Sequence, residues 1–420
     1  MSSERGKLVI FAALGLGILF TAYIWLHVWR HVIGRGAWVF LGDFRLFYAA
    51  ASVVAHGGDP YRLSSLIAAE PLRGHFPPTT IATTYVNPPA LAFLLTPFTH
   101  LHFVAAYAVF TAIGIGAIAV TVVALAKELG WRGAPLLAVG ALTWAVTTFG
   151  LAVGQLDALL LAATLGAMVL VWRQHWLFAG LLLGLFWLKP DILWPVLFCL
   201  GVGIWPDRRA LVRYAVGIAS GALVLIALDA PRLPDWFRSL RAFEHAERLN
   251  GLLAEVINGV RLPAHLHSAT FIAVTAVAVL AVLAVTLWLV RSRGWSALGQ
   301  RQQLLWLVGL GLAVWLTLTP YSFPNDDLLL LPLLVAMLGP DASRAAAAAV
   351  ALAILAMAVV LPLDNVAANW LPAGPNSLVL ALVAIAGCYT YSKNQGARPA
   401  VTHPISPTPA PTMGPSAPTR

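Results

Sequence analysis

The sequence predicts an all-α polytopic membrane protein with about twelve transmembrane helices. Three observations carry that reading. The chain of 420 residues is 60% hydrophobic and only 10% charged, with a mean hydropathy of +0.82. A soluble domain carries about 25% charged residues, so this chain lacks the charge to solvate a soluble surface. Apolar runs of membrane-crossing length recur throughout, and basic residues fall on alternate connections, as the positive-inside rule requires.

The N-terminus places Arg5 and Lys7 before the apolar run Leu8 to Trp29. That run is too long for a signal-peptide core and ends in Trp25, Trp29 and His31 rather than small residues, so it reads as a retained first span. Further spans are expected near 102–126, 134–150, 155–172, 177–188, 191–205, 211–228, 268–290, 303–319, 327–339, 345–362 and 376–391. With the N-terminus inside, every cytoplasmic connection carries a basic residue, among them Lys127, Arg132, Arg173, Arg208, Arg209, Arg213, Arg291, Arg293, Arg301, Arg344 and Lys393. The short outer connections contain only Lys189. Both termini are therefore expected in the cytoplasm, with the protein in the plasma (inner) membrane. The formal net charge of +9 reads as a topology signal, and no nucleic-acid partner is expected.

Residues 1–396 read as one membrane domain, and 397–420, rich in Pro, Thr, Ser and Ala, as a disordered cytoplasmic tail. Two outer segments, 30–101 and 229–267, are too long to be turns. Within the first, Phe44, Phe47, Tyr48, Ala51 and Val54 share one face of a helix over Phe44–Ala55, expected along the outer leaflet. The run Ala90–Phe98 is too short to span and reads as an interfacial or re-entrant piece, or an extension of the second span. Cys199 and Cys388 are the only cysteines and both lie in apolar runs, which excludes a disulfide framework.

The chain has no Walker A loop, no Rossmann glycine pattern after a strand, no nucleophile elbow and no Asp-x-Asp pair. Polar residues gather instead at the outer ends of the spans: Asp43 and Arg45, Gln155 and Asp157, Lys189 and Asp191, and Asp326 with Asp327. Ionisable groups at membrane depth are costly and point to a functional site. Each also has a structural reading. Asp157 and Asp327 suit the first turn of an inward-running helix, Lys189 and Asp191 suit a mutual pair around Pro190, and Asp59 suits a turn. Histidines such as His100 and His102 read as interfacial, so no metal site is expected; no motif supports a divalent cation, and no cofactor is expected.

The run from Asp43 to Ala50, Gly57-Gly-Asp-Pro-Tyr61, Tyr85-Val-Asn-Pro-Pro89, Gly154-Gln-Leu-Asp157 and Leu188-Lys-Pro-Asp191 together resemble glycosyltransferase family 87. Asn250-Gly and Asp327-Leu-Leu-Leu-Leu-Pro332 continue the likeness more loosely, and the order of the motifs carries it across most of the chain. The resemblance implies a C-type glycosyltransferase architecture with a large first outer loop. It implies transfer of a hexosyl (mannosyl-like) or pentosyl residue from a polyprenyl-phosphate donor to a lipid-linked or glycan acceptor on the outer face. The family's catalytic carboxylate lies in the first outer loop, where Asp43 stands in this chain. Asn87, where a Tyr-Pro-Pro pattern is common, and Asp157, where Asn is frequent, depart from the family pattern and leave the donor sugar open.

Chemistry agrees with that expectation. Inverting transfer needs a base for the acceptor hydroxyl, and a carboxylate near apolar surface suits it. The departing lipid phosphate needs cations, for which Arg45, Lys189 and Arg241 are candidates. Tyr48, Asp59, Tyr61, Asn87, Gln155, Asp157, Asp191, Tyr321, Asp326 and Asp327 are the candidate sugar-site residues. The alternative reading is a glycolipid or anionic-solute transporter, against which stands the absence of an internal repeat. A non-enzymatic scaffold is the third.

Overall fold

The computed structural model describes residues 15, 17–19, 21–26, 42–70, 85–131, 134–228, 230–246, 267–292, 295–296, 298–319, 326–338, 350 and 375–396. Among these residues there are helices, turns and short loops and no strand. The expected span at 345–362 apart from Val350, the tail 397–420, Tyr321 and most of the second outer segment lie outside the described residues.

The first outer segment folds as α1 (Gly42–Ala55), α2 (Leu63–Ala69) and α3 (Pro89–Leu94), followed by a 3-10 turn at Thr96–His100. The periodicity expected for 44–55 is present, but the covered face is wider. Ala49, Ala50 and Val53 are buried along with Phe44, Phe47, Ala51 and Val54. The helix packs against α2, α3 and the 3-10 turn. Ala90–Phe98 is neither a span nor an extension of one: Pro88 and Pro89 start α3, which ends before Thr96.

Helix α4 (Phe103–Glu128) is the first long crossing in the described residues. The span expected at 134–150 is instead two pieces, α5 (Ala134–Thr143) and α6 (Ala145–Val153), broken at an extended Trp144. A break inside a membrane strands backbone groups, and here the Thr147 hydroxyl donates to the Ala141 carbonyl at 2.6 Å. Thr148 Oγ1 lies 2.8 Å from Thr21 Oγ1, which ties the N-terminal helix to the break.

There follow α7 (Asp157–Trp172), α8 (Trp176–Gly184) with a 3-10 turn at Leu185–Leu188, α9 (Pro190–Ile204) and α10 (Arg208–Leu228). The last elements are α11 (Leu233–Ala246), α12 (His267–Arg291), α13 (Gln300–Leu318), a 3-10 turn at Asp326–Leu330 running into α14 (Leu331–Met337), and α15 (Pro375–Gly396). Among the described residues, α4, α10, α12 over Thr270–Arg291, and α13 are long and apolar enough to cross a membrane. Helix α13 forms the centre, with α9, α12, α14 and α15 packed around it.

Helices α8 and α10 approach through glycine pairs. A methyl built on Gly180 would overlap the Tyr214 carbonyl, and one on Gly217 the Leu177 carbonyl; Gly184 sits against Gly221 in the same way. In lipid, where burial of apolar surface gives helices no preference for one another, such small-residue seams supply the close packing that joins them.

Candidate active site

The site is assembled from three short polar junctions that meet near Asp43 of α1. Gly154 ends α6 in the left-handed region, φ 76°, and its α-carbon faces the side chain of Phe44, leaving no room for a Cβ. Phe44 is seated from the other side by Phe103, Tyr107 and Phe110 of α4, with ring centroids 5.0–5.8 Å away. The Tyr107 hydroxyl donates to the carbonyls of Leu151 and Ala152, which holds the end of α6 beneath the same cluster. This packing brings the next residue to Asp43: Gln155 Nε2 donates to Asp43 Oδ2 at 2.7 Å.

Asp157 begins α7 and is fully buried. It accepts from Lys189 Nζ at 3.0 Å, and the same ammonium donates to Asp326 Oδ1 at 2.7 Å. Lys189 follows the 3-10 turn at Leu185–Leu188 and is the cap residue of α9. A half-buried cation thus bridges two buried carboxylates that belong to different helical elements.

The helices that carry these groups are short. At ~1.5 Å per residue the 16 residues of α7 reach only ~24 Å, against a hydrocarbon thickness of ~30 Å. The nine residues of α8 with the four-residue 3-10 turn are shorter still. A helix this short does not cross that thickness by itself.

Electrostatics single out Asp43. Burial lifts its carboxyl from the ordinary 3.8 to about 6, and the nearby Asp157 charge acts in the same direction. Lys189 and the Gln155 hydrogen bond pull it down, but less strongly. The result is a carboxylate that is ionised at neutral pH yet basic enough to accept a proton.

Residues 85–320, more than half of the chain, match the family model described as Glycosyltransferase family 87. The chain belongs to glycosyltransferase family 87. No curated protein and no solved structure matches it. The matched region contains Gln155, Asp157 and Lys189 but begins after Asp43 and ends before Asp326. A membrane glycosyltransferase whose described residues form helices and no strand is thus the frame within which the remaining site residues of this family-87 chain are placed.

Arg45 is two residues from Asp43 on α1 and so does not share its face. It is buried and forms an ion pair with Glu70, Nε to Oε2 3.2 Å, joining α1 to the end of α2. Tyr48 donates to the Leu101 carbonyl at 2.9 Å. Asp59 accepts from the Tyr61 backbone N–H and pairs with Arg62 at 3.6 Å, the geometry of a turn. The Tyr61 hydroxyl donates to the Asn87 carbonyl. Asp191 is the second residue of α9, Arg241 is exposed on α11, and Asp327 is buried beside Asp326.

Sequence reasoning missed two features. Lys189 bridges Asp157 and Asp326, which lie 32 and 137 positions away along the chain. Helix α11 of the second outer segment docks onto the first: Trp236 Nε1 donates to the Val86 carbonyl at 2.8 Å and the Ser239 hydroxyl to the Tyr85 carbonyl at 2.8 Å. Trp236 also meets Trp187 edge-on at 5.6 Å, next to the turn that carries Lys189. The Tyr-Val-Asn-Pro-Pro motif could have signalled this, because prolines leave neighbouring carbonyls without local backbone donors.

Proposed function

We propose that this family-87 glycosyltransferase transfers a hexosyl or pentosyl residue, with inversion, from a polyprenyl-phosphate donor to a lipid-linked or glycan acceptor, at the outer face of the plasma membrane with both termini inside. The observation that carries the proposal is Asp43: a carboxylate with a pKa of about 6, held by Gln155, with the charge of Lys189 close enough to lower it.

Asp43 takes the proton of the acceptor hydroxyl as that oxygen bonds to the anomeric carbon. The bond from the anomeric carbon to the phosphate oxygen breaks, and its electron pair leaves on the polyprenyl phosphate. The proton on Asp43 then passes to water. Lys189 is the cation for the departing phosphate, and Asp157 and Asp326 orient its ammonium. Arg45, locked to Glu70, holds α1 and with it Asp43 in place; Arg241 is a further phosphate cation from the second outer segment. Tyr48, Tyr61 and Asn87 shape the wall around the sugar, with Asp59 setting the turn that leads into it. Asp191, Tyr321 and Asp327 complete the proposed substrate-binding set. No nucleotide pocket is needed, because the polyprenyl chain dissolves in the bilayer and presents its phosphate at the interface.

The test is transfer in membranes from radiolabelled polyprenyl-phosphate sugars to candidate lipid acceptors. Asp43→Asn is expected to lose about 10²–10⁴-fold in rate while folding normally, the range for a positioned general base. Wild-type transfer by a folded Asp43→Asn protein overturns the role of Asp43. Movement of a lipid-linked sugar between leaflets in proteoliposomes, without transfer, replaces the reading with transport.

A further inference from the structure

The end of the bundle away from Asp43 carries a second charged assembly that the transfer reaction does not use. Glu128, the last residue of α4, accepts Arg173 Nε on Oε1 and Arg301 Nη2 on Oε2, each at 2.7 Å. Arg301 Nη1 also donates to the Glu128 carbonyl, and its guanidinium lies 6.0 Å from the centre of the Trp172 ring. The Glu128 side chain is 13% exposed, whereas those of Arg173 and Arg301 are 53% and 50% exposed.

One covered carboxylate therefore holds two guanidiniums side by side, and the group keeps a net positive charge. Arg173 uses only Nε on Glu128, and its two terminal nitrogens have no partner among the described residues. Exposed Lys127 adjoins the group. Trp131, Trp172, Trp176 and Trp205 lie at this same end of α4, α7, α8 and α9, the placement of a membrane-interface belt. The open guanidinium fork of Arg173, with the charge of Arg301 beside it, matches the oxygens of a lipid phosphate at headgroup depth better than a soluble anion.

We propose that Arg173 and Arg301, held in place by Glu128, bind the headgroup phosphate of an anionic phospholipid. The three helices joined here are those that build the transferase site at their other ends. Helix α4 seats Phe44, α7 begins with Asp157, and α13 leads toward Asp326. The bound lipid therefore clamps that site from the opposite leaflet.

The experiment uses the purified full chain in detergent, titrated with phosphatidylglycerol or phosphatidylcholine of matched acyl chains. Retained lipid is counted by native mass spectrometry, and thermal unfolding is followed in parallel. Wild type is expected to retain phosphatidylglycerol preferentially and to unfold at a higher temperature with it. Arg173→Gln leaves the Arg301–Glu128 pair intact and is expected to lower phosphatidylglycerol retention about fivefold. The Arg173→Gln, Arg301→Gln double variant is expected to abolish the preference; should it fail to fold, the single variant decides. Arg208→Gln, an exposed arginine at the same end, is expected to behave as wild type. The proposal is overturned by no lipid preference in wild type, by unchanged retention in Arg173→Gln, or by an equal loss in Arg208→Gln. Displacement of the lipid by millimolar inorganic phosphate, or tighter retention of polyprenyl phosphate than of phosphatidylglycerol, overturns it as well.

Discussion

Phe44 of α1 rests directly on Gly154, the left-handed cap of α6, with no space for a Cβ between them. This one contact sets the height of α1 over the bundle, and the residue on either side of it completes the site. Asp43 precedes Phe44, Gln155 follows Gly154, and the two are hydrogen-bonded.

Gly154→Ala is therefore expected to damage function more than its size suggests. A side chain at positive φ costs about 1–2 kcal/mol, and the overlap with Phe44 adds overpacking of similar size. Displacing α1 by about an ångström is expected to lower transfer about a hundredfold. Transfer rates and thermal unfolding of the purified variant check both numbers; a variant with wild-type transfer would refute the contact's role.

The raised pKa of Asp43 predicts a specific pH dependence. As a base it must be ionised, so kcat/KM is expected to rise with pH through about 6 and then level. Stability runs the other way. Because the folded protein favours the protonated carboxyl, the stabilising contribution is complete below about 3.8 and is lost as pH rises through about 6. Asp43→Asn is thus expected to unfold at a higher temperature than wild type at pH 8 and at a similar one near pH 4.

Lys189→Met is expected to be severe in two separable ways. Removing the cation leaves Asp157 and Asp326 buried without their bridge, a loss of about 3–5 kcal/mol. It also removes the largest influence lowering the Asp43 pKa, so the acid limb of any residual activity moves to higher pH. Thermal unfolding reads the first effect and a pH–rate profile the second. An unshifted limb would show that Lys189 does not act on Asp43.

The glycine seam between α8 and α10 positions the turn that carries Lys189. Gly217→Ala would press a methyl onto the Leu177 carbonyl and part the helices. The expected result is a loss of about 1–3 kcal/mol with reduced transfer. Gly116→Ala on α4, where a Cβ meets nothing within 4 Å, is the control and is expected to change neither.

Much of this organisation was readable along the chain. The helical positions of α4, α7, α10, α12 and α13 follow from apolar runs, and the periodicity of α1 from Phe44, Phe47 and Ala51, because both are local consequences of burying apolar side chains. The break at Trp144 was not readable. Nothing in the run 134–150 forbids a continuous helix, and the break is held by the Thr147 hydroxyl and by the N-terminal helix at Thr21. Asp43, Gln155, Asp157, Lys189 and Asp326 were each visible as polar residues at the ends of apolar runs, but not as partners.

The sequence by itself determined that the chain is a helical membrane protein and where its polar groups interrupt its apolar runs. Only the tertiary structure decided which polar groups meet. Arg45 pairs with Glu70 across the first outer segment, and Lys189 with Asp157 and Asp326 of two other elements. The reason is physical. A buried charge takes the partner that helix packing brings within about 3 Å, and that packing is set by contacts such as Phe44 on Gly154 and Gly180 against Tyr214, between residues far apart along the chain.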